Sequence, residues 1–306
     1  MSRWKTLKRI LTDRDYRTVR LAKAGVYNRM PDEAYLKKVY RARMGRPLNL
    51  EDPQLFSEKL QWLKLYDRNP LYTQLVDKYK VREYIAEKLG EEYLIPLMGV
   101  WDDPDNIDFD ALPDQFVLKC NHNSGTGMCI CRDKSKLNYD EVRKNLKKGL
   151  REDFFLKARE WPYKDVPRKI ICEQYMTDGC GAEELTDYKF FCVNGHVDNV
   201  MVCLERSSGD PQFHYFDRDW KTLQIEKIAP RGCISCKPEN MDDMFRIAAV
   251  LSEGFPFVRI DLYDICGKIF FGEMTFYPKG GWDDDFLNEA DQRLGSLVNL
   301  TRTPKE

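Results

Sequence analysis

Two short apolar runs joined by Asn194-Gly195 constrain this chain more than any other feature of its sequence. Asn-Gly between β-branched and aromatic runs is the strongest short signal for a two-residue hairpin, because both turn positions need positive φ. The flanking runs, 188–193 and 196–204, are therefore predicted as paired strands. A second pair, 257–263 and 268–275, flanks Asp264-Ile265-Cys266-Gly267. Further strands are expected at 115–120 and 169–175. The first third is different. Pro31-Asp32-Glu33 opens a helix running to about 43, with proline near the first turn and acids at its positive end. Phe56, Leu60, Trp62, Leu63 and Leu65 predict a second helix over 56–65, ended by Asn69-Pro70. More helices are expected over 75–89, 138–150 and 239–254. Antiparallel hairpins without a repeated βαβ pattern define an α+β fold. The 306 residues allow several subdomains. The expected division is a basic helical region over 1–75, a linking part over 76–115, and two subdomains over 116–172 and 173–306.

Aromatic residues at 12% exclude a disordered chain. Apolar runs such as Val200 to Leu204 are far short of the roughly 20 residues a spanning helix needs. No apolar leader opens the sequence, so a cytoplasmic location is expected. The ten cysteines mostly sit in apolar stretches such as Phe190-Phe191-Cys192-Val193, which predicts free thiols. Cys233 and Cys236 form a single C-x-x-C. A zinc site ordinarily needs a second pair, and the chain has three histidines.

Residues 1–50 carry 14 Lys and Arg against 4 Asp and Glu, leaving −11 for the rest of a chain whose net charge is −1. Trp4, Leu7, Ile10 and Leu11 fall on one helical face among these cations. Two readings stand open: helices packed on the body with their cations in water, or a surface for lipid headgroups, an acidic glycan or a diphosphate carrier. The second places the chain peripherally at the inner membrane face. No recognition module accompanies the basic arm, so nucleic acid is not expected as a partner.

The last hairpin carries the most chemistry. Period two puts Arg259, Asp261 and Tyr263 on one face of its first strand, and Glu273 and Thr275 on one face of its second. Carboxylates facing each other across strands about 4.8 Å apart repel unless a cation lies between them. Mg²⁺ takes such oxygens together with substrate phosphates. The alternative is a solvated face bearing an Arg–Asp pair. In Lys119-Cys120-Asn121-His122-Asn123-Ser124-Gly125-Thr126-Gly127, a lysine ends a strand and a loop of small residues follows. Such a loop presents N–H groups to phosphate oxygens, although a plain hairpin loop has the same composition. It is not a Walker A loop, because the lysine precedes the glycines. In Glu173-Gln174-Tyr175 a strand runs into a link whose backbone suits an adenine edge. Lys189 alternates with Tyr188 and Phe190 and so points off the apolar face, towards a phosphate or towards water.

The order of these elements resembles the ATP-grasp superfamily. More narrowly it is similar to the TupA-like ATP-grasp family, associated with bacterial surface-polysaccharide and teichuronopeptide synthesis. The resemblance is carried over about residues 30–300 by Phe56-Ser57-Glu58-Lys59-Leu60-Gln61-Trp62, Asp77-Lys78-Tyr79-Lys80-Val81-Arg82, the stretch from Phe116 to His122, Asp187-Tyr188-Lys189-Phe190-Phe191, the stretch from Phe255 to Tyr263, and Gly272-Glu273-Met274-Thr275. It implies an ATP-grasp fold with a helical N-terminal region. It implies that Lys119 and Lys189 contact ATP phosphates and that Ser124, Gly125 and Gly127 belong to a mobile lid. It places Glu173 and Tyr175 beside the adenine and Asp187 near the ribose. Asp261 and Glu273 would hold Mg²⁺, and Arg259 would neutralise the transferring phosphoryl group. Thr275 stands where many ATP-grasp enzymes have Asn, which makes it a weaker oxygen ligand.

The implied activity is an ADP-forming carboxylate–amine ligase working through an acyl phosphate. Its partners would be a carboxylate-bearing glycan or sugar precursor and an amine, with contact to a membrane or lipid-linked glycan through residues 1–50. Two alternatives stand beside it: a sugar or glycan kinase on the same fold, and a polysaccharide-locus glycosyltransferase, which would use a nucleotide-sugar. Asp283-Asp284-Asp285 contains the glycosyltransferase Asp-x-Asp pattern, but in a predicted loop.

Overall fold

The computed structural model describes residues 3–177, 185–205, 209–234 and 236–300, with side chains from residue 8 onward. Helices come first: α1 (Arg3–Thr12), α2 (Arg14–Lys23), α3 (Asp32–Met44) and α4 (Phe56–Tyr66). Asp13 caps α2 by accepting from Tyr16 N at 2.8 Å. Helix α3 begins at the expected Pro31-Asp32-Glu33 and ends at Gly45, whose φ of 69° is left-handed. It buries Tyr35, Leu36, Val39 and Tyr40, so this part of the basic region is packed on the body. Leu11 at the end of α1 is 72% exposed, and the side chains of Trp4 and Leu7 lie outside the described residues. Among the described residues no helix is long and apolar enough to cross a membrane.

The helix expected over 75–89 is interrupted. It divides into α5 (Leu71–Val76) and α6 (Val81–Lys88). Asp77 breaks it: its Oδ1 accepts from Tyr79 N at 2.8 Å, Lys80 N at 3.3 Å and Asn121 Nδ2 at 2.7 Å. A side-chain acceptor that captures the next backbone donors competes with the helical ladder.

Two antiparallel sheets follow. The smaller contains β1 (Leu97–Trp101), β2 (Phe116–Cys120), β3 (Cys129–Cys131) and β4 (Ile170–Gln174), in the order β1-β4-β2-β3. Helix α7 (Tyr139–Leu150), capped by Asn138, buries Val142 and Leu146 in a core with Phe116, Leu118 and Cys172. A short helix, α8 (Phe155–Ala158), leads back to the main core. The larger sheet contains β5 (Asp187–Val193), β6 (His196–Leu204), β7 (Gln212–Phe216), β8 (Thr222–Leu223), β9 (Phe257–Ile265) and β10 (Lys268–Thr275), in the order β10-β9-β5-β6-β7-β8. Asn194 and Gly195 turn with φ of 49° and 78°, as the Asn-Gly signal requires. The last hairpin is tighter than expected: β9 runs on to Ile265, and only Cys266 and Gly267 turn, at φ 53° and 79°. Helix α9 (Met241–Leu251) covers one face, with Phe245 set edge-on to Phe190 at 5.2 Å, and α10 (Asn288–Leu297) packs on α4. Glu173 lies on β4, so it belongs to the smaller sheet together with Lys119.

Candidate active site

On the larger sheet, strand register lines up the charges. Lys189 on β5 is the cross-strand partner of Asp261 on β9, and Asp261 is the partner of Glu273 on β10. Arg259 lies opposite Thr275. Arg259 Nε donates to Asp261 Oδ1 at 2.6 Å, and its Nη2 donates to Asp261 Oδ2 at 2.8 Å, Glu273 Oε1 at 3.1 Å and Thr275 Oγ1 at 3.2 Å. Lys189 Nζ donates to Asp261 Oδ2 and lies 3.6 Å from Asp187 Oδ2. The cation between the opposed carboxylates is therefore, within the chain itself, a guanidinium. Burial raises the pKa of Asp261 against the pull of Arg259 and Lys189. For Glu273, burial pushes the same way, but Lys78, Arg259, Lys189 and Lys119 together outweigh it and hold the carboxyl at about 2.

The smaller sheet supplies the facing cations. Lys119 on β2 and Glu173 on β4 share a face, with Nζ 2.6 Å from Oε2. Arg82 Nη1 stands 3.9 Å from the other Glu173 oxygen. Tyr175 OH accepts from Arg132 Nε at 3.0 Å. In the following loop Asn121, His122 and Asn123 are buried, whereas Ser124 and Gly125 are exposed. Gly127, at φ 73°, is pressed into place: a Cβ there would lie 2.8 Å from Cys120 Sγ and 2.8 Å from Gly149 Cα. This leaves Ser124 to Thr126 as the part of the loop that projects.

Three site residues escaped the sequence reading. Lys78 donates from Nζ to Asn123 O at 2.7 Å; burial lowers its pKa, and the charges of Glu273 and Glu173 oppose that. It stands in the stretch Asp77 to Arg82 that carries the family resemblance, but nothing in that stretch ties it to the acidic hairpin. Glu160 and Tyr163 sit beside the acidic hairpin. The Tyr163 hydroxyl is raised well above its usual range by burial, then by the charges of Glu160 and Glu273. No period or spacing marked either residue.

Asp261 and Glu273 have carboxylate oxygens and Thr275 a hydroxyl, all hard donors of the kind Mg²⁺ takes. The Glu273 side chain is 38% exposed, which leaves the donor set an open side. The donor types fit the ion, and Arg259 and Lys189, which hold both Asp261 oxygens in this structure, would have to yield them to it. Asp283, Asp284 and Asp285 also cluster, but Lys279 Nζ pairs with Asp283 and Asp285 at 3.1 Å each. Cys233 and Cys236 are exposed and form no three-residue ligand cluster among the described residues.

A fold of two antiparallel sheets with lysines from both converging on an Arg-x-Asp strand and a Glu-x-Thr strand is that of the ATP-grasp proteins. The chain belongs to the TupA-like ATPgrasp family, whose model matches residues 58–299. No curated protein matches it. Among solved structures it is similar to D-alanine–D-alanine ligase from Bacillus anthracis complexed with ATP, at 12% identity over 74% of this chain and 63% of that one, with a TM-score of 0.44. It is similar to D-alanine–D-alanine ligase from Helicobacter pylori at 10% identity, over 80% and 69% of the two chains, with a TM-score of 0.44. For D-cycloserine synthetase DcsG the values are 13%, 75% and 71%, and 0.42. The chain spans less than two thirds of the length of the Bacillus anthracis ligase.

Proposed function

We propose that this protein is an ATP-dependent, ADP-forming carboxylate–amine ligase that makes an amide on a bacterial cell-surface polysaccharide or its precursor. The observation that carries the reading is the convergence of Lys78, Lys119, Lys189 and Arg259 on the Asp261–Glu273 pair. With Glu173 beside Lys119 and Asp187 beside Lys189, four cations meet four carboxylates in the free chain, and with the hairpin carboxylates on Mg²⁺ the lysines would be free for a polyphosphate. Lys119 and Lys189 hold the phosphates, after leaving Glu173 and Asp261 with which they pair in the free protein. Asp261 and Glu273, with Thr275, would hold Mg²⁺, which when bound neutralises phosphate oxygens. Ser124 and Gly125 close over the phosphates, on a loop that Gly127 anchors rather than joins as a moving part. Glu173 and Tyr175 flank the adenine, and Asp187 faces the ribose.

A carboxylate is a poor electrophile, and phosphorylation converts it into one. Arg259 and the lysines lower the cost of bringing an anionic acceptor to an anionic phosphate. Loop closure keeps water from the acyl phosphate. The family's association with surface polysaccharide supplies the acceptor class, a uronate-bearing glycan or its sugar precursor. The exposed cations of α1 and α2 suit a lipid-linked or polymeric anion, with the enzyme cytoplasmic and peripheral at the inner membrane face. The test is incubation with ATP, Mg²⁺ and a panel of uronic acids and amines. ADP with an amide product supports the ligase. ADP with a phosphorylated sugar would identify a kinase, and AMP an adenylating enzyme.

A further inference from the structure

We propose that Glu160 is the ammonium-binding carboxylate of this site: it receives the protonated amine of the second substrate and takes one of its protons as the amine attacks. This rests on the ligase reading above.

Glu160 is held by its neighbours. Arg159 before it has a left-handed φ of 56° and is 2% exposed. Arg159 Nη2 donates to the carbonyls of Tyr27, Asn28 and Met30 at 3.1, 2.9 and 3.2 Å, and the guanidinium lies 4.3 Å over the Tyr35 ring. After it, Trp161 to Tyr163 form a single 3-10 turn. The Glu160 backbone is thus pinned on both sides. Its side chain is nevertheless free: the residue is 7% exposed, among the described residues no hydrogen bond or ion pair joins its carboxylate to the protein, and its oxygens are not among the buried atoms cut off from water. A carboxylate of a buried residue that is paired with nothing but still touches water can also be reached by a ligand that pairs with it.

The charged groups facing it come from four elements: Lys64 on α4, Lys157 on α8, Arg259 on β9 and Glu273 on β10. Each of the cations is already engaged. Lys64 Nζ donates to Gln61 Oε1, Ala158 O and Gly280 O at 3.0, 2.8 and 2.5 Å. Lys157 Nζ pairs with Glu152 at 2.6 Å, and Arg259 is held by Asp261, Glu273 and Thr275. Glu160 therefore lies beside the phosphoryl-transfer residues but outside their hydrogen-bonded set, as a group reserved for an incoming cation would. Burial lifts its pKa to about 7 against the pull of Lys64, which suits a base working near neutral pH.

In the step, R–NH₃⁺ gives a proton to a Glu160 oxygen. The freed lone pair forms the C–N bond at the acyl-phosphate carbonyl. The C–O bond to phosphate breaks, and phosphate leaves with the electron pair and the second nitrogen proton. Glu160 then returns its proton to water. The acceptor class this selects is a primary amine that is protonated at neutral pH, such as an amino acid or an amino sugar.

The experiment compares wild type, Glu160→Gln and Glu160→Asp with ATP, Mg²⁺ and each uronic acid, using two nucleophiles. L-Alanine is protonated at neutral pH and needs a base, whereas hydroxylamine is largely unprotonated and does not. Glu160→Gln is expected to slow amide formation about 100-fold while changing hydroxamate formation by less than about threefold, the loss of one general base. Glu160→Asp, which keeps the charge, recovers part of the alanine rate. Equal losses with both nucleophiles, or no loss with alanine, would overturn the role of Glu160 while leaving the ligase reading intact. Should Glu160→Gln not fold, Glu160→Asp alone must lose more with alanine than with hydroxylamine. A wild type that forms neither product overturns the ligase reading and this inference with it.

Discussion

Asp261 and Glu273 face each other because Gly272 is the extra residue of a β-bulge. From the Cys266-Gly267 turn, the hairpin pairs Phe271 with Leu262, then skips Gly272 and pairs Glu273 with Asp261. An unbroken ladder would set Gly272 opposite Asp261 and turn Glu273 to the other face. A Cβ at Gly272 would lie 3.0 Å from Asp261 O and 3.0 Å from the Tyr263 ring. Gly272→Ala is therefore expected to impair turnover far more than stability: a cost of about 1 kcal/mol in the fold and at least about tenfold in activity, since small misplacements of reacting groups are amplified. Urea unfolding and ADP release measure the two. Wild-type turnover in this variant would mean that the bulge does not serve the site.

Lys189 is buried against Asp261 and Asp187, and the half-buried Lys119 pairs with Glu173. Lys189→Ala and Lys119→Ala should each reduce turnover by about 100- to 1,000-fold, the usual loss for one preorganised donor to developing charge. Asp261→Asn should weaken the thermal stabilisation given by ATP with Mg²⁺. Near wild-type turnover in either lysine variant at saturating ATP would remove that lysine from the phosphate site.

Lys64 ties α4 to the turn after β10. Its ammonium serves three acceptors and lies 4.4 Å over the Trp282 ring. Lys64→Met should destabilise the fold by about 2–4 kcal/mol, because buried carbonyls lose their donor at about 1–3 kcal/mol each while relief of a buried charge offsets part of that. A urea midpoint within error of wild type would contradict this.

Stability should carry the mark of Glu160 between about pH 4.5 and 7. Burial raises its folded pKa from the ordinary 4.5 to about 7. Below 4.5 both folded and unfolded chains hold the proton. Through the window the unfolded chain has released a proton that the folded chain keeps, so stability falls as pH rises and the loss is complete above 7. Lys64, depressed to about 7 by burial, gives a slope of opposite sign above that pH. The melting temperature of Glu160→Gln relative to wild type should therefore rise from pH 5 to pH 7. A constant difference would show that Glu160 is not raised.

Much of this architecture was legible because it is locally encoded. Asn194-Gly195 fixes its hairpin, Asn138 caps its helix, and alternation places Lys189 off the apolar face. The short edge strands β3 and β8 carry too few residues to show a period. The break at Asp77 involves Asn121, distant in sequence, and the Gly272 bulge shows only in the pairing of β10 with β9. Glu160 joins the site through tertiary folding, so no spacing could announce it, and Lys78 stands in a family-like stretch whose link to the acidic hairpin is likewise tertiary. Opposed carboxylates need a cation between them, and Arg259 already occupies that place in the free chain.

In the proposed reaction the substrate carboxylate is phosphorylated before the amine attacks. The most direct measurement follows ¹⁸O from a labelled uronate carboxylate during turnover with ATP, Mg²⁺ and an amine. An acyl-phosphate ligase transfers one ¹⁸O into inorganic phosphate, with ADP as the nucleotide product. Label in AMP, or phosphate without label while product accumulates, would contradict the account.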